Sequence, residues 1–139
     1  MNNNVSKKLL IKLPIFQHLT DDEYRILAFV GKRQHLSEGE TLYVANAVSD
    51  GAMLITAGRV KLIFEDGRPN IIAGRGMLLN ELSLFSSKQY HYTIEAIDKI
   101  TIMVFSRDEF MHLMAEFPEI GQKIQNNIIK RVSEVAEAF

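Results

Sequence analysis

Apolar residues recur at helical spacing at both ends of this chain and at strand spacing between them. After Leu19, Thr20 stands where an N-cap would, with Glu23 three residues on, the signature of a capping box. Leu19 and Tyr24 flank that cap as a hydrophobic staple. Ile26, Leu27 and Val30 then carry a helix towards a stop at Gly31. From about Arg33 to Phe105 the period shortens. Thr41–Ala45 and Met53–Ala57 are rich in strand formers and bounded by Gly39, Asn46 and Gly51. Val60, Leu62 and Phe64 alternate with Lys61 and Ile63, a period of two, and Asp66-Gly67 reads as a hairpin turn into Asn70–Ala73. Tyr92–Ile97 and Ile100–Phe105 supply two more strands. The helical spacing returns at Ser106, an N-cap with Glu109 as its box partner and Phe105 and Phe110 as its staple. Pro118 opens a last helix, along which Ile120, Ile124, Ile128, Val132, Val135 and Phe139 form one stripe.

Short strands spaced by turns between helices predict a mainly β domain with flanking helices, an α+β chain built on a β-sandwich or jelly roll. One domain covers residues 1–139, with the β-roll at about 33–105 and the C-terminal helices at 106–139. The bland use of the last stripe is packing on the roll. Its C-terminal half runs past any later element that could cover it, and Ile129 and Ala136 widen the face there. A homodimer through Ile128, Val132, Val135 and Phe139 is therefore the expected partner, with another protein as the alternative.

Composition narrows the class. The chain is 47% hydrophobic and 24% charged, an ordinary globular balance. A net charge of −1 gives no electrostatic footprint for nucleic acid, so binding of DNA by this chain alone is not expected. No apolar run reaches a membrane span, and the start, MNNNVSKK, lacks the apolar core of a signal peptide. With no cysteine there is no thiolate chemistry, and a cytoplasmic location is expected. His18, His35, His91 and His112 are scattered without metal-type spacing, and no nucleophile elbow or nucleotide-loop motif is present. An enzyme is not expected.

The order of these segments resembles the cyclic nucleotide-binding domains of catabolite-activator-type regulators and kinase regulatory subunits. Leu13–Ala28 is similar to that family's opening helix pair, Ser37–Tyr43 to its Gly-Glu step into the roll, and Met53–Leu62 to its strand–Gly–strand step with Gly58 as the glycine. Phe105–Pro118 is similar to the helix and proline that lead into its long last helix. The resemblance runs from about Leu9 to Arg131 and implies a double-stranded β-helix with N-terminal helices and a long C-terminal helix. It also implies a phosphate-binding cassette over Gly76–Ile94 and, as ligand, a cyclic nucleotide (cAMP or cGMP) or a related small molecule.

In that alignment Gly76 takes the first glycine, Leu79 the phenylalanine, Asn80 the second glycine and Glu81 the glutamate that meets the ribose. Leu82 and Ser83 begin the short helix, Tyr90 takes the phosphate-binding arginine, His91 the small residue after it, and Thr93 leads into the next strand. Losing the arginine removes a charge-assisted hydrogen bond worth about 1.5–3 kcal/mol, roughly 10- to 150-fold in affinity. Arg75 and Lys88 are the nearest cations in sequence and would need rerouting to replace it. Asn80 tolerates a left-handed backbone and is also a good N-cap, so its side chain is expected to take the donors that a phosphate would use. Hydroxyl residues that meet the adenine in bacterial members align near Val135 and Ala136, and Ala45-Asn46 replaces a Gly-Asp pair.

The expectation is a regulatory or sensory domain of cyclic nucleotide-binding type whose cassette is degenerate, with ordinary cAMP binding disfavoured by Tyr90. Two alternatives stay open. One is a ligand-independent dimerisation or protein-interaction module. The other is the effector half of a transcription regulator, lacking the DNA-binding domain that the family places after the long helix.

Overall fold

The computed structural model describes residues 3–138, with side chains described from residue 6 to residue 131. Helix α1 (Asn3–Ile11) and a 3-10 turn (Pro14–Phe16) precede α2 (Asp21–Val30). Ten strands follow: β1 (Lys32–Leu36), β2 (Thr41–Tyr43), β3 (Val48–Ser49), β4 (Gly51–Ala57), β5 (Val60–Phe64), β6 (Ile71–Ala73), β7 (Leu78–Leu79), β8 (Lys88–Gln89), β9 (Tyr92–Ala96) and β10 (Ile100–Ser106). A second 3-10 turn (Glu81–Leu84) separates β7 from β8, and α3 (Arg107–Glu116) and α4 (Pro118–Ala138) close the chain.

The strands form two four-stranded antiparallel sheets, ordered β1-β10-β4-β7 and β2-β9-β5-β6, with β3 and β8 as a separate ribbon. This is the expected jelly roll. Its interior holds Tyr43, Ile55, Val60, Leu62, Ile94 and Ile102 from both sheets. A second apolar cluster lies outside the roll, where Leu10, Phe16, Leu27, Phe105, Phe110 and Ile124 join the helices to β4 and β10.

The predicted cap of α2 forms in full: Thr20 Oγ1 accepts from Glu23 N at 3.2 Å, and Glu23 Oε1 accepts from Thr20 N at 2.8 Å. At α3 only half of the predicted box forms. Ser106 Oγ accepts from Glu109 N at 3.2 Å, while the Glu109 carboxylate turns to Lys32 Nζ at 2.8 Å. Gly58 joins β4 to β5 at a φ of +86°, and a Cβ there would lie 2.5 Å from the Lys99 carbonyl oxygen.

Helix α4 begins at Pro118 as expected, and the first half of its stripe is internal. Ile120 and Ile124 are fully buried in the outer cluster, each stabilising the fold by about 1.5–3 kcal/mol relative to exposure. Helix α4 lies against α3 and the first 3-10 turn more than against the strands of the roll. Ile128, expected at a dimer face, packs against that same cluster, because the stripe turns it inward with Ile124. Ile129, one residue on, is 57% exposed. The remaining expected partner contacts, Val132, Val135 and Phe139, lie outside the residues whose side chains are described, as does Ala136.

Candidate functional site

The stretch from Gly76 to Thr93 starts where the chain leaves the roll. Gly76 takes a φ of +92°, which a glycine adopts without steric cost, and its N–H donates to the Ile55 carbonyl at 2.8 Å. Two residues later Leu78 and Leu79 pair with Leu54 and Met53, and the Leu79 side chain is buried in the roll. Asn80 then turns the backbone left-handed at φ 59°, ψ 39°, which starts the 3-10 turn at Glu81.

The side chain of Asn80 makes no capping hydrogen bond, contrary to the expectation that it would occupy the donors at the head of the turn. In the left-handed region the amide is directed away from those donors and into a buried polar chain. Its Nδ2 donates to Ser49 Oγ at 3.3 Å, and its Oδ1 accepts from the Tyr92 hydroxyl. Ser83 Oγ lies 2.7 Å from Ser49 Oγ and 3.3 Å from the Tyr90 hydroxyl. Ser49 Oγ donates in turn to the Gly51 carbonyl at 3.2 Å. Asn80, Ser49 and Ser83 are all buried. Among the described residues no buried side-chain nitrogen or oxygen lacks a partner, so this chain of hydroxyls and one amide is satisfied from within.

Tyr90, which the sequence resemblance aligns with a phosphate-binding arginine, points its phenol at Ser83 of the turn. Its backbone N–H donates to the Tyr43 hydroxyl at 2.9 Å, and its ring meets Tyr43 edge-on with centroids 6.0 Å apart. The ring of Tyr92 lies 5.3 Å from Tyr90 and 5.6 Å from Phe64. These rings pack against the interior of the roll. Burial, with Tyr90 and Tyr43 adding to it, pushes the Tyr92 phenol well above the usual tyrosine range, so it stays a neutral donor to Asn80.

Glu81 does not face an unbalanced anion. Arg131 of α4 places Nη1 2.6 Å from Glu81 Oε1 and 2.7 Å from Oε2. The partner of Glu81 thus comes from 50 residues along the chain. Arg75 and Lys88, the candidate replacements by sequence proximity, are exposed. A second arginine, Arg107 at the start of α3, directs Nη1 to the Ser83 carbonyl at 3.5 Å.

The remaining predicted residues separate from this cluster. Leu82 is 52% exposed on the outer side of the turn. Thr93 Oγ1 accepts from Ala45 N at 3.1 Å and joins β9 to the loop after β2. His91 is exposed, its Nδ1 2.8 Å from Asn46 Oδ1, while Asn46 Nδ2 donates to Glu65 Oε1 at 2.7 Å. Asn46 holds a left-handed backbone at φ 69°. Sequence reading missed Ser49, Tyr43, Arg107 and Arg131 as parts of the site. The one usable signal was the spacing of Lys123, Asn127 and Arg131, four apart on one helix face. Among the described residues no group of three His, Cys, Asp or Glu side chains is placed to hold a metal, and no helix is long and apolar enough to cross a membrane.

A sequence profile of the cyclic nucleotide-binding domain matches residues 33–117. Among curated proteins, the chain is 24% identical over 117 residues to the nitrogen fixation regulation protein FixK of Bradyrhizobium diazoefficiens, covering 83% of this chain and 49% of the relative. It thus spans about half the length of that relative. Among solved structures, the N-terminal domain of a transcriptional regulator from Streptomyces coelicolor A3(2) superposes with a TM-score of 0.86 at 24% identity, covering 94% of each chain. The catabolite activator protein of Thermus thermophilus gives a TM-score of 0.71 at 17% identity, covering 91% of this chain and 61% of that one. At these identities the structural matches carry the fold. Gly76, Glu81, the turn between them and Tyr90 fall within the residues that the profile matches.

Proposed function

The chain belongs to the cyclic nucleotide-binding domain family, and from that footing we propose that it is a regulatory domain whose cassette is closed by its own side chains rather than by a nucleotide phosphate. One observation carries this reading: Tyr92, Asn80, Ser49, Ser83 and Tyr90 form a continuous polar chain through the cassette. A phosphate entering there would meet phenols already bonded to the turn and no arginine at position 90. It would also have to separate Glu81 from Arg131 before the glutamate could accept from a ribose.

The role is regulatory. In support, the matching profile is that of a cyclic nucleotide-binding domain and the curated relative is a regulation protein. Titration calorimetry with cAMP and with cGMP tests the reading. No heat of binding is expected at micromolar ligand, and micromolar affinity for either nucleotide would overturn it.

A second reading concerns assembly and output. Similarity to FixK and to the N-terminal domain of a transcriptional regulator supports a role as the effector half of such a regulator. The exposed Ile129 and the apolar spacing of Val132, Val135 and Phe139 support a homodimer along α4. Multi-angle light scattering at high micromolar protein should then give twice the mass of the chain, and a monomer would remove the dimer from the proposal.

A further inference from the structure

A groove of about 800 Å³ runs between α2 and α3, and none of the cassette residues lines it. Ile26, Val30 and Leu113 reach it from the outer apolar cluster, and Phe117 closes the list of its apolar walls with Phe29. Phe29 is 82% exposed, the most exposed large apolar side chain among the described residues. A ring left in water forgoes most of the stabilisation that its burial would bring. One face therefore carries both an unfilled apolar groove and an uncovered aromatic ring. The charges on that face are divided by element. Arg25 comes from α2 and Lys32 from the start of β1, while Glu109 and Glu116 come from α3. Arg25 pairs with Asp22 and Lys32 with Glu109, at 2.8 Å each, but exposed pairs of this kind contribute little.

We propose that this groove is a contact site for a second copy of the chain. A two-fold axis along the groove turns α2 of one copy over α3 of the other. Each Phe29 then enters the facing groove, each Arg25 meets the facing Glu116, and each Lys32 meets the facing Glu109. A two-fold contact uses one patch twice, so the patch must hold ring and groove, and cation and anion, together. This patch holds both, whereas a partner of one charge would match only one flank. The contact involves neither the cassette nor α4. Ten residues line the groove, about half or fewer of the roughly 20–30 that a stable interface uses on each side. The contact is therefore transient and forms at higher protein concentration than an obligate dimer.

Sedimentation equilibrium on the full chain, from micromolar to millimolar protein, tests this contact. The wild-type mass should rise with concentration, and Phe29→Ser should weaken that association about 30-fold, as loss of a central aromatic anchor does. Assembly along α4 is common to both proteins, so the difference between them reads the groove alone. Arg25→Glu leaves carboxylates at both facing positions and Glu116→Arg leaves cations at both. Each should associate at least about fivefold less than the wild type. An equimolar mixture of these two variants should recover association, since each carboxylate then faces a cation. The double variant, with the charges exchanged in one chain, should recover it too. Phe29, Arg25 and Glu116 are all exposed, so thermal melts should show every variant folded. A wild-type mass equal to that of Phe29→Ser at every concentration would overturn the self-contact and leave the groove to a different protein. A mixture no more associated than its separate components would overturn it as well.

Discussion

The Tyr92 hydroxyl donates to Oδ1 of Asn80, tying a strand of the roll to the one left-handed residue that starts the cassette turn. That bond explains why replacing a single residue would not rebuild a phosphate site. Tyr90→Arg alone is predicted to leave cAMP affinity at the wild-type level, since Tyr92 and Asn80 still fill the turn. Adding Asn80→Gly and Tyr92→Val should reopen it and raise affinity at least about tenfold over Tyr90→Arg, the lower bound for a charge-assisted hydrogen bond. Calorimetry decides: micromolar binding by the single variant would mean that Tyr90 was the sole obstacle.

Tyr92→Phe strands a buried amide oxygen and should cost about 1–3 kcal/mol in urea unfolding. A loss under half of that would show that water or a neighbour replaces the phenol.

The same phenol makes stability sensitive to alkali. Burial raises the pKa of Tyr92 and of Tyr24 above the ordinary 10.0 in the folded state. A raised folded value means that stability is complete below the unfolded value and is lost as pH rises through the folded one. The melting temperature should therefore fall above about pH 10, and the fall should be smaller in Tyr92→Phe. Identical alkaline profiles for variant and wild type would refute the assignment.

Glu23 gives the opposite sign. Burial pushes its carboxyl up, but hydrogen bonds from Lys123 and the Thr20 N–H outweigh burial and hold it below its ordinary 4.5. A depressed folded value stabilises above the unfolded value and is lost as pH falls through the folded one. Lys123→Met, which keeps the aliphatic stem, should lose about 1–2 kcal/mol near pH 7. The gap from wild type should narrow below about pH 4.5 in thermal melts. A gap that stays constant to pH 3 would show that the loss is packing and not charge.

Gly58 and Gly67 both hold positive φ, +86° and +81°, and differ in surroundings. Alanine at Gly67 meets nothing within 4 Å, so only the backbone cost of about 1–2 kcal/mol applies. Alanine at Gly58 meets the Lys99 carbonyl as well and should be clearly the more destabilising in urea midpoints. Equal midpoints would remove steric contact as the reason for the glycine.

What could be read from sequence follows from how local each signal is. Thr20 with Glu23, Pro118 at a helix start, and the alternation of Val60, Leu62 and Phe64 are decided within a few residues, and the elements formed there. Strand β1 escaped because Lys32–His35 are all exposed and show no alternation; its pairing with β10 supplies what its own composition lacks. In the cassette the positions of Gly76, Asn80, Glu81 and Tyr90 were legible, but the destinations of their side chains were not. Asn80 looked like a cap because a cap is a local solution, whereas its partners Ser49 and Tyr92 lie 31 and 12 residues away. Arg131 was passed over for Arg75 and Lys88 for the same reason, since distance along the chain says little about distance across a roll.

The contacts of Lys123 with Glu23, and of Asn127 with the carbonyls of Ile15 and Gln17, set an order for the birth of the molecule. They join residues 100, 112 and 110 positions apart, so the N-terminal helices emerge from the ribosome well before the surface they pack on has been translated. Phe16, Leu27 and the carbonyls of Ile15 and Gln17 must wait for Phe105, Phe110, Ile124 and Asn127, the last third of the sequence. Such long-range pairing is slow to close. A nascent chain halted near Ser106 would hold that apolar surface open, a target for chaperones until α4 arrives.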